Sequence, residues 1–125
     1  MTDRFSPSDL ELLRDSEEVE IETRAAPEAP VHRAVIWIVV DAADRVLIRT
    51  WKGPHTRWYR EVQAQPDCRL HAGGRALDVR AVPASDPDRV EGYSGAVQRK
   101  YARSRSTPSM LEPQVLPTTL ELLPR

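Results

Sequence analysis

The 125-residue sequence is poor in cysteine, histidine and long apolar runs, and each shortage excludes a class of protein. The single cysteine, Cys68, excludes an intrachain disulfide and a cysteine-based zinc cage, which needs about four nitrogen or sulfur ligands. The three histidines, His32, His55 and His71, are too scattered to form a metal motif. The longest apolar run, residues 34–40, is far shorter than the ~20 residues of a membrane-spanning helix. Because the acidic start also lacks the features of a secretion signal, we expect one soluble cytoplasmic domain.

Charge is distributed unevenly along the chain, although the formal net charge is only −1. Residues 1–30 carry a net charge of −6, residues 31–107 carry +6 and residues 108–125 carry −1. A basic central region attracts anions such as a phosphorylated cofactor, a carboxylate substrate or nucleic acid. The pI of about 6.3 argues against nucleic acid, because dedicated nucleic-acid binders are usually basic as a whole.

The N-terminal third of the sequence predicts a helix, a strand and a linker. Ser6 is a capping residue followed by a proline suited to the first helical position, so we expect a short helix that ends near Ser16. Residues 19–23 alternate apolar and polar side chains, which is typical of a strand with one wet face. Residues 25–30 contain two prolines and are predicted to be a linker.

The centre of the sequence predicts a hairpin and a helix. Residues 33–40 are mostly apolar at both the odd and the even positions, which indicates a strand covered on both faces. Turn-forming residues follow at 41–44, before a second strand over residues 45–51. We then expect a helix from about Thr56 that ends before Pro66, because a proline disfavours helical geometry in the residue before it.

The last half of the sequence predicts a second hairpin over residues 68–83, turning at two adjacent glycines. A helix begins at Asp86 and carries one apolar stripe that docks on the sheet. Residues 104–117 are rich in serine, threonine and proline and are expected to run extended over the surface. Residues 118–123 form a final strand.

This order of five or six strands with two inserted helices and one at the front predicts a mainly β (α+β) fold. Strands joined by hairpins pair antiparallel, whereas a parallel sheet needs a regular alternation of strand and helix. We therefore expect a small antiparallel split β-barrel with two or three short helices. Residues 1–30 provide an N-terminal helix and strand with a linker, and residues 31–125 provide the barrel of a single domain.

Residues 49–60, with the sequence RTWKGPHTRWYR, contain the clearest candidate site. A strand ends, a Lys-Gly turn follows and a helix begins, so free N–H groups point outward at the positive end of the helix dipole. Lys52 and Arg57 lie on either side of these groups, and Arg49 can reach them from the strand face. Together they predict a phosphate or carboxylate site. The alternative interpretation is that the basic side chains form a solvated rim and the nearby tryptophans belong to the core.

The motifs WIVV, VLIRTWKGP, RWYREVQAQP, RLHAGGRALDVRAV, VQRKYARS and TTLELLPR occur in this order between residues 31 and 125. This order resembles a bacterial family of unknown function in the FMN-binding split-barrel superfamily. It is more distantly similar to the deazaflavin-dependent nitroreductases, in which a Lys-Gly turn is followed by Trp-Tyr-x-Asn-Leu and a proline. Lys52-Gly53 and Trp58-Tyr59 match that pattern, whereas Glu61-Val62 stand in place of Asn-Leu.

The resemblance implies a split-barrel homodimer that holds FMN or a deazaflavin in a groove between subunits. It implies that basic side chains hold the phosphate, that a hydroxyl assists them and that two indoles wall the ring. The residues assigned in this way are Arg49, Thr50, Lys52, Gly53, Arg57, Trp58 and Trp37. The implied activity is oxidation or reduction of a small organic molecule, since the cofactor transfers the hydride and the protein supplies binding and electrostatics.

His55 and Tyr59 are the candidate catalytic proton donors, and Tyr59 is the better of the two because its hydroxyl is expected one residue from the predicted anion site. A solvated loop histidine and a packed helix tyrosine are the structural alternatives for these two residues. Cys68 is expected to be a buried, inert thiol. A different functional class also fits the sequence: a cofactor-free or haem-binding split barrel that binds or rearranges a hydrophobic metabolite. In that case Trp37, Trp58 and Tyr59 line the pocket and His55 is the acid or ligand.

Overall fold

The computed structural model describes residues 4–125 and shows one curled antiparallel sheet. The strands are β1 (Val19–Thr23), β2 (His32–Ile36), β3 (Val39–Val40), β4 (Val46–Ile48), β5 (Asp67–Ala72), β6 (Arg75–Pro83) and β7 (Leu120–Pro124). Their order across the sheet is β2-β1-β5-β6-β7-β4-β3, and all of the pairings are antiparallel. The predicted split barrel is therefore confirmed, with seven strands in the described part of the chain rather than five or six.

Three α-helices accompany the sheet: α1 (Pro7–Asp15), α2 (Arg57–Ala64) and α3 (Pro87–Lys100). The first is capped as the sequence predicts, and the third begins directly after Asp86, which also caps it. The Ser6 hydroxyl accepts a hydrogen bond from the N–H of Asp9, and the Asp86 carboxylate accepts one from the N–H of Arg89. Helix α2 ends before Pro66, also as predicted.

Two apolar clusters form the core, one on each face of β4. Val46 and Ile48 of β4 belong to the cluster inside the barrel, whereas Leu47 belongs to the cluster beneath α3. This alternation follows from the two-residue period of a strand. The N-terminal segment is part of the first cluster, because Leu13 of α1 is fully buried and β1 lies between β2 and β5.

The prediction of one continuous strand over residues 33–40 is wrong. The strand is interrupted at Trp37 and Ile38. β2, before the interruption, pairs with β1 alone, and β3, after it, pairs with β4. β2 is also an edge strand rather than a strand covered on both faces, and Val35 is 60% exposed. An apolar run fits a strand that changes partners halfway as well as it fits one buried strand, so the pattern alone does not separate the two.

Residues 104–117 are not extended over the surface, contrary to prediction. They contain the 3₁₀ helix Thr107–Leu111, and a second one, Leu116–Thr118, follows. Thr107 and Met110 are buried beneath α3, and the Thr107 hydroxyl donates a hydrogen bond to the carbonyl of Tyr101 over 2.6 Å. A serine- and proline-rich composition predicts irregular structure, but it does not show that an apolar side chain among these residues is buried.

Candidate functional site

The barrel opens between β2 and β4, which do not pair with each other. If the β3–β4 register continued, Ile36 would face Thr50 and Val35 would face Trp51, but β2 pairs with β1 instead. A groove of about 170 Å³ lies in this gap, and we call it the split groove. It is lined by Ala34, Val35, Ile36, Arg49, Thr50, Trp51, Lys52, Thr56 and Trp58. Four of the residues singled out in the sequence, Arg49, Thr50, Lys52 and Trp58, therefore meet at one opening, whereas Gly53, His55 and Arg57 lie beside it without lining it.

A closed turn shapes one end of the groove. Gly53 has a φ of +91°, a backbone conformation that glycine adopts without the strain of a side chain. The Thr50 hydroxyl accepts a hydrogen bond from the Gly53 N–H over 2.8 Å. The Thr56 hydroxyl donates to the Gly53 carbonyl over 2.9 Å. The Thr50 hydroxyl, predicted to assist a phosphate, is thus buried and already used within the turn.

The N-terminus of α2 differs electrostatically from those of α1 and α3. Its cap residue, Thr56, makes no capping hydrogen bond with its side chain, and no acidic residue lies in the first turn. The turn instead begins with the exposed Arg57, and the exposed Lys52 lines the same groove as Thr56 and Trp58. Unsatisfied N–H groups, the helix dipole and two basic side chains all favour an anion here.

Arg49 does not join these basic side chains. It lies at the groove floor, yet only 1% of it is exposed. Its guanidinium donates to the Thr119 hydroxyl, the Ser94 hydroxyl and the carbonyls of Met110 and Val90, over 2.7–3.1 Å. All four acceptors are neutral, and burial lowers the pKa of Arg49 to about 10. Arg49 is therefore a structural buried cation that adds positive potential to the groove without presenting its donors to a ligand.

The aromatic residues of α2 have separate positions. Trp58 is 8% exposed and lines the groove, whereas Tyr59 packs into the core with its ring edge-on to Trp58 at 6.1 Å. The Tyr59 hydroxyl accepts a hydrogen bond from Gln63 over 3.3 Å, and burial raises its pKa. Neither Tyr59 nor His55 is among the described residues that line the groove. His55 is exposed in the loop before α2.

A second cavity of about 300 Å³ adjoins the split groove, and we call it the Trp37 pocket. It is lined by Glu18, Val35, Trp37, Trp51, Ser106, Ser109 and Met110, so it shares Val35 and Trp51 with the groove. The indole of Trp37 stacks on Tyr101 with 4.0 Å between ring centroids and 3° between planes. The sequence-predicted ring walls, Trp37 and Trp58, thus stand in two adjoining cavities rather than in one.

One polar cluster was not found by sequence reasoning. Glu61 of α2 is buried, and its carboxylate accepts hydrogen bonds from the Thr23 hydroxyl over 2.7 Å and from His32 Nδ1 over 2.9 Å. Thr23 and His32 face each other across the β1–β2 pair. The only signal in the sequence is that Glu61 follows Trp58 by three residues and therefore shares its buried helix face.

The described residues provide neither a reactive cysteine nor a metal site. Cys68 is buried in the core, and burial raises the pKa of its thiol to about 12. Among residues 4–125, no group of histidine, cysteine, aspartate and glutamate side chains is arranged to hold a metal ion. The helices in this part of the chain are all too short or too polar to cross a membrane.

Three solved proteins share this fold at low sequence identity. The Agrobacterium tumefaciens protein Atu2129, of unknown function, is 15% identical with a TM-score of 0.67 over 98% of this chain and 56% of its own. The present chain thus spans about half the length of that protein. An F420-H2 dependent reductase, FDR-A, is 16% identical with a TM-score of 0.62 over 86% of this chain and 93% of its own. HutZ, the heme storage protein from Vibrio cholerae, is 10% identical with a TM-score of 0.64 over 98% and 91%.

The sequence matches the model of one protein family. A family model described as an uncharacterized protein conserved in bacteria (DUF2255) matches residues 9–122. This match includes α1 and β1, which precede the part of the sequence that carries the motif resemblance. No curated protein sequence matches the chain.

Proposed function

Because the chain belongs to the bacterial DUF2255 family and folds as a split barrel, we propose that it binds FMN or a deazaflavin through the cofactor's phosphate and oxidises or reduces a small organic molecule. The observation that carries the proposal is the basic end of the split groove, where Lys52 stands beside the uncapped N-terminus of α2. A bound flavin or deazaflavin supplies the hydride chemistry, and the protein supplies binding and orientation. The fold shared with an F420-H2 dependent reductase supports this choice of cofactor class.

The phosphate fits the groups that are free at this end of the groove. Lys52 and Arg57 provide exposed basic side chains, the Gly53 turn separates them, and the first N–H groups of α2 provide donors. Arg49 and the Thr50 hydroxyl are excluded as direct contacts because protein groups already occupy them. Arg49 assists through its buried charge alone.

The ring fits between the two indoles. Trp58 forms one wall of the split groove, and Trp37 stands in the adjoining pocket. The groove alone is smaller than the roughly 300–1,000 Å³ of typical ligand pockets, so the ring reaches Val35 and Trp51, which line both cavities, and its edge meets the Trp37 pocket without filling it. Of the two predicted proton donors we favour His55, which is exposed beside the phosphate end, over Tyr59, which is buried and hydrogen-bonded to Gln63.

A second copy of the chain would complete the site. The exposed large apolar side chains in the described part of the chain are Val31, Val35 and Trp51, at 46%, 60% and 58% exposure. Val35 and Trp51 line both cavities, and β2 has an unpaired edge beside them. Apolar surface at a ligand groove is typical of an interaction site, so we infer a homodimer that closes over the cofactor.

The test is a titration of the purified full chain with FMN, and separately with an oxidised deazaflavin, followed by absorbance and fluorescence. We expect saturable binding by the wild type. The double variant Lys52→Ala/Arg57→Ala should bind about 100-fold more weakly, because two contacts to a charged phosphate are lost. Riboflavin lacks the phosphate, so its affinity should differ far less between the double variant and the wild type than the affinity of FMN does.

Arg103→Ala is the matched control, since Arg103 is also exposed but lies beyond the end of α3. It should leave FMN affinity unchanged. Equal affinity of the wild type and the Lys52/Arg57 variant for FMN would refute the phosphate assignment. A protein that takes up haem but neither FMN nor a deazaflavin would refute the flavin class altogether.

A further inference from the structure

The Trp37 pocket is lined by an acidic side chain, whereas the split groove is lined by basic ones. Glu18 is the one charged residue among the described residues that line the pocket, whereas Lys52 and Arg49 line the groove. The exposed carboxylate of Glu18 makes no hydrogen bond or ion pair within residues 4–125. Its charge is therefore available to a ligand in the pocket.

The aromatic wall of this pocket is held in place before any ligand arrives. Trp37 is stacked on Tyr101, whose hydroxyl donates a hydrogen bond to the carbonyl of Glu17. Burial, with smaller contributions from the Glu17 and Glu18 carboxylates, raises the pKa of Tyr101 to about 12. The Glu18 charge thus lies near the stacked pair. Trp51, 58% exposed, stands on another wall of the pocket, and the Lys52 ammonium lies 5.2 Å from the centre of its ring. Trp37 is therefore the indole left for a ligand in the pocket.

We propose that the Trp37 pocket binds a flat organic cation, which on the proposed function is the second reactant beside the cofactor. An indole face attracts a cation through its quadrupole, and a carboxylate beside it adds Coulombic attraction. A flat molecule makes the largest contact with the fixed plane of Trp37. The pocket volume of about 300 Å³ suits a molecule of one or two rings.

The test uses N-methylpyridinium as the cationic probe and benzoate as a flat anion of similar size. The indole N–H signals of the full-length protein are followed by ¹H–¹⁵N NMR, with each of the three tryptophans assigned by substitution. We expect N-methylpyridinium to shift the signals of Trp37 and Trp51 saturably. The signal of Trp58, which lies in the split groove, should move little, and benzoate should produce no saturable shift at Trp37.

Glu18→Gln should weaken N-methylpyridinium binding about fivefold. Glu11→Gln is the control, because it removes the same charge from an exposed side chain on α1 that does not line the pocket, and this variant should bind the probe as the wild type does. Trp37→Leu should abolish the shift at Trp51. If Trp37→Leu loses its dispersed amide spectrum, the comparison of Glu18→Gln with Glu11→Gln decides the matter alone.

The proposal is overturned if benzoate binds as tightly as N-methylpyridinium, or if the two glutamine variants have equal affinities for N-methylpyridinium. FMN uptake without any response to N-methylpyridinium overturns this inference and leaves the proposed function intact. N-methylpyridinium binding at Trp37 without FMN or deazaflavin uptake supports the cation pocket and overturns the proposed function.

Discussion

At the scale of single residues, Arg49 shows how one side chain can match a functional motif and serve the fold. It belongs to the basic segment at residues 49–60, yet its guanidinium bonds to α3, to the 3₁₀ helix that contains Met110 and to Thr119 just before β7. It also lies 4.2 Å from the centre of the Tyr93 ring, which offers a cation a favourable face. Arg57, eight positions later, is exposed and free to meet a ligand.

We expect Arg49→Ala to lower the free energy of unfolding by about 3 kcal/mol, because several buried acceptors lose a charged donor together. The measurement is urea denaturation followed by circular dichroism. Arg57→Ala should change the free energy of unfolding by less than about 0.5 kcal/mol, as exposed substitutions usually do. A stable Arg49→Ala protein would contradict a structural role for this residue.

At the scale of elements, α2 is held to the barrel by polar as well as apolar contacts. Trp58 and Val62 pack into the core, and Glu61 between them bonds Thr23 of β1 and His32 of β2. These contacts fix α2 against the edge strand of the split. The position of the α2 N-terminus, and with it the proposed phosphate site, depends on this attachment.

Glu61→Ala should lower the free energy of unfolding by about 2 kcal/mol, because the Thr23 hydroxyl, 2% exposed, loses its acceptor. Adding Thr23→Val should recover part of this loss, since an apolar pair leaves no buried hydroxyl unsatisfied. Denaturant titration of both variants is the measurement. Glu91→Ala, an exposed acid on α3, is the control, and a loss no larger than that of the control would exclude a role for Glu61 in attaching α2.

At the scale of the whole molecule, Lys100 joins parts that are distant in sequence. Its ammonium donates to the carbonyl of Leu13 at the end of α1 over 2.9 Å and to that of Ile38 at the strand interruption over 2.7 Å. Burial lowers the pKa of Lys100 to about 8, and the nearby Asp15 and Glu17 oppose this shift only in part. One lysine on α3 thus connects the N-terminal helix with the point where the barrel splits.

A lowered pKa predicts the direction of a pH effect on stability. Between pH 8 and the ordinary lysine value of 10.5, the unfolded chain binds more protons at this group than the folded chain does. Stability from this group therefore rises with pH across that window. We expect the free energy of unfolding of the wild type to rise relative to that of Lys100→Met between pH 8 and 10.5. A constant or falling difference would show that the Lys100 ammonium is not destabilised by burial.

The sequence alone determined the features that depend on near neighbours. The helix starts at Ser6 and Asp86, the hairpin of residues 68–83 and the alternation along β4 all follow from capping, turn chemistry and side-chain period. The motif order likewise indicated the split barrel. It also placed Lys52 and Arg57 at a helix start, because a strand end, a turn and a cap lie within a few residues of each other.

The tertiary structure alone decided which side chains are free to act. The strand interruption at Trp37, the burial of Arg49 and the Thr23–Glu61–His32 cluster each require partners that lie far away in the chain. A guanidinium or a carboxylate is the same group in the sequence whether it faces water or four protein acceptors. Its availability is set by long-range packing, which places donors and acceptors together regardless of their order in the chain.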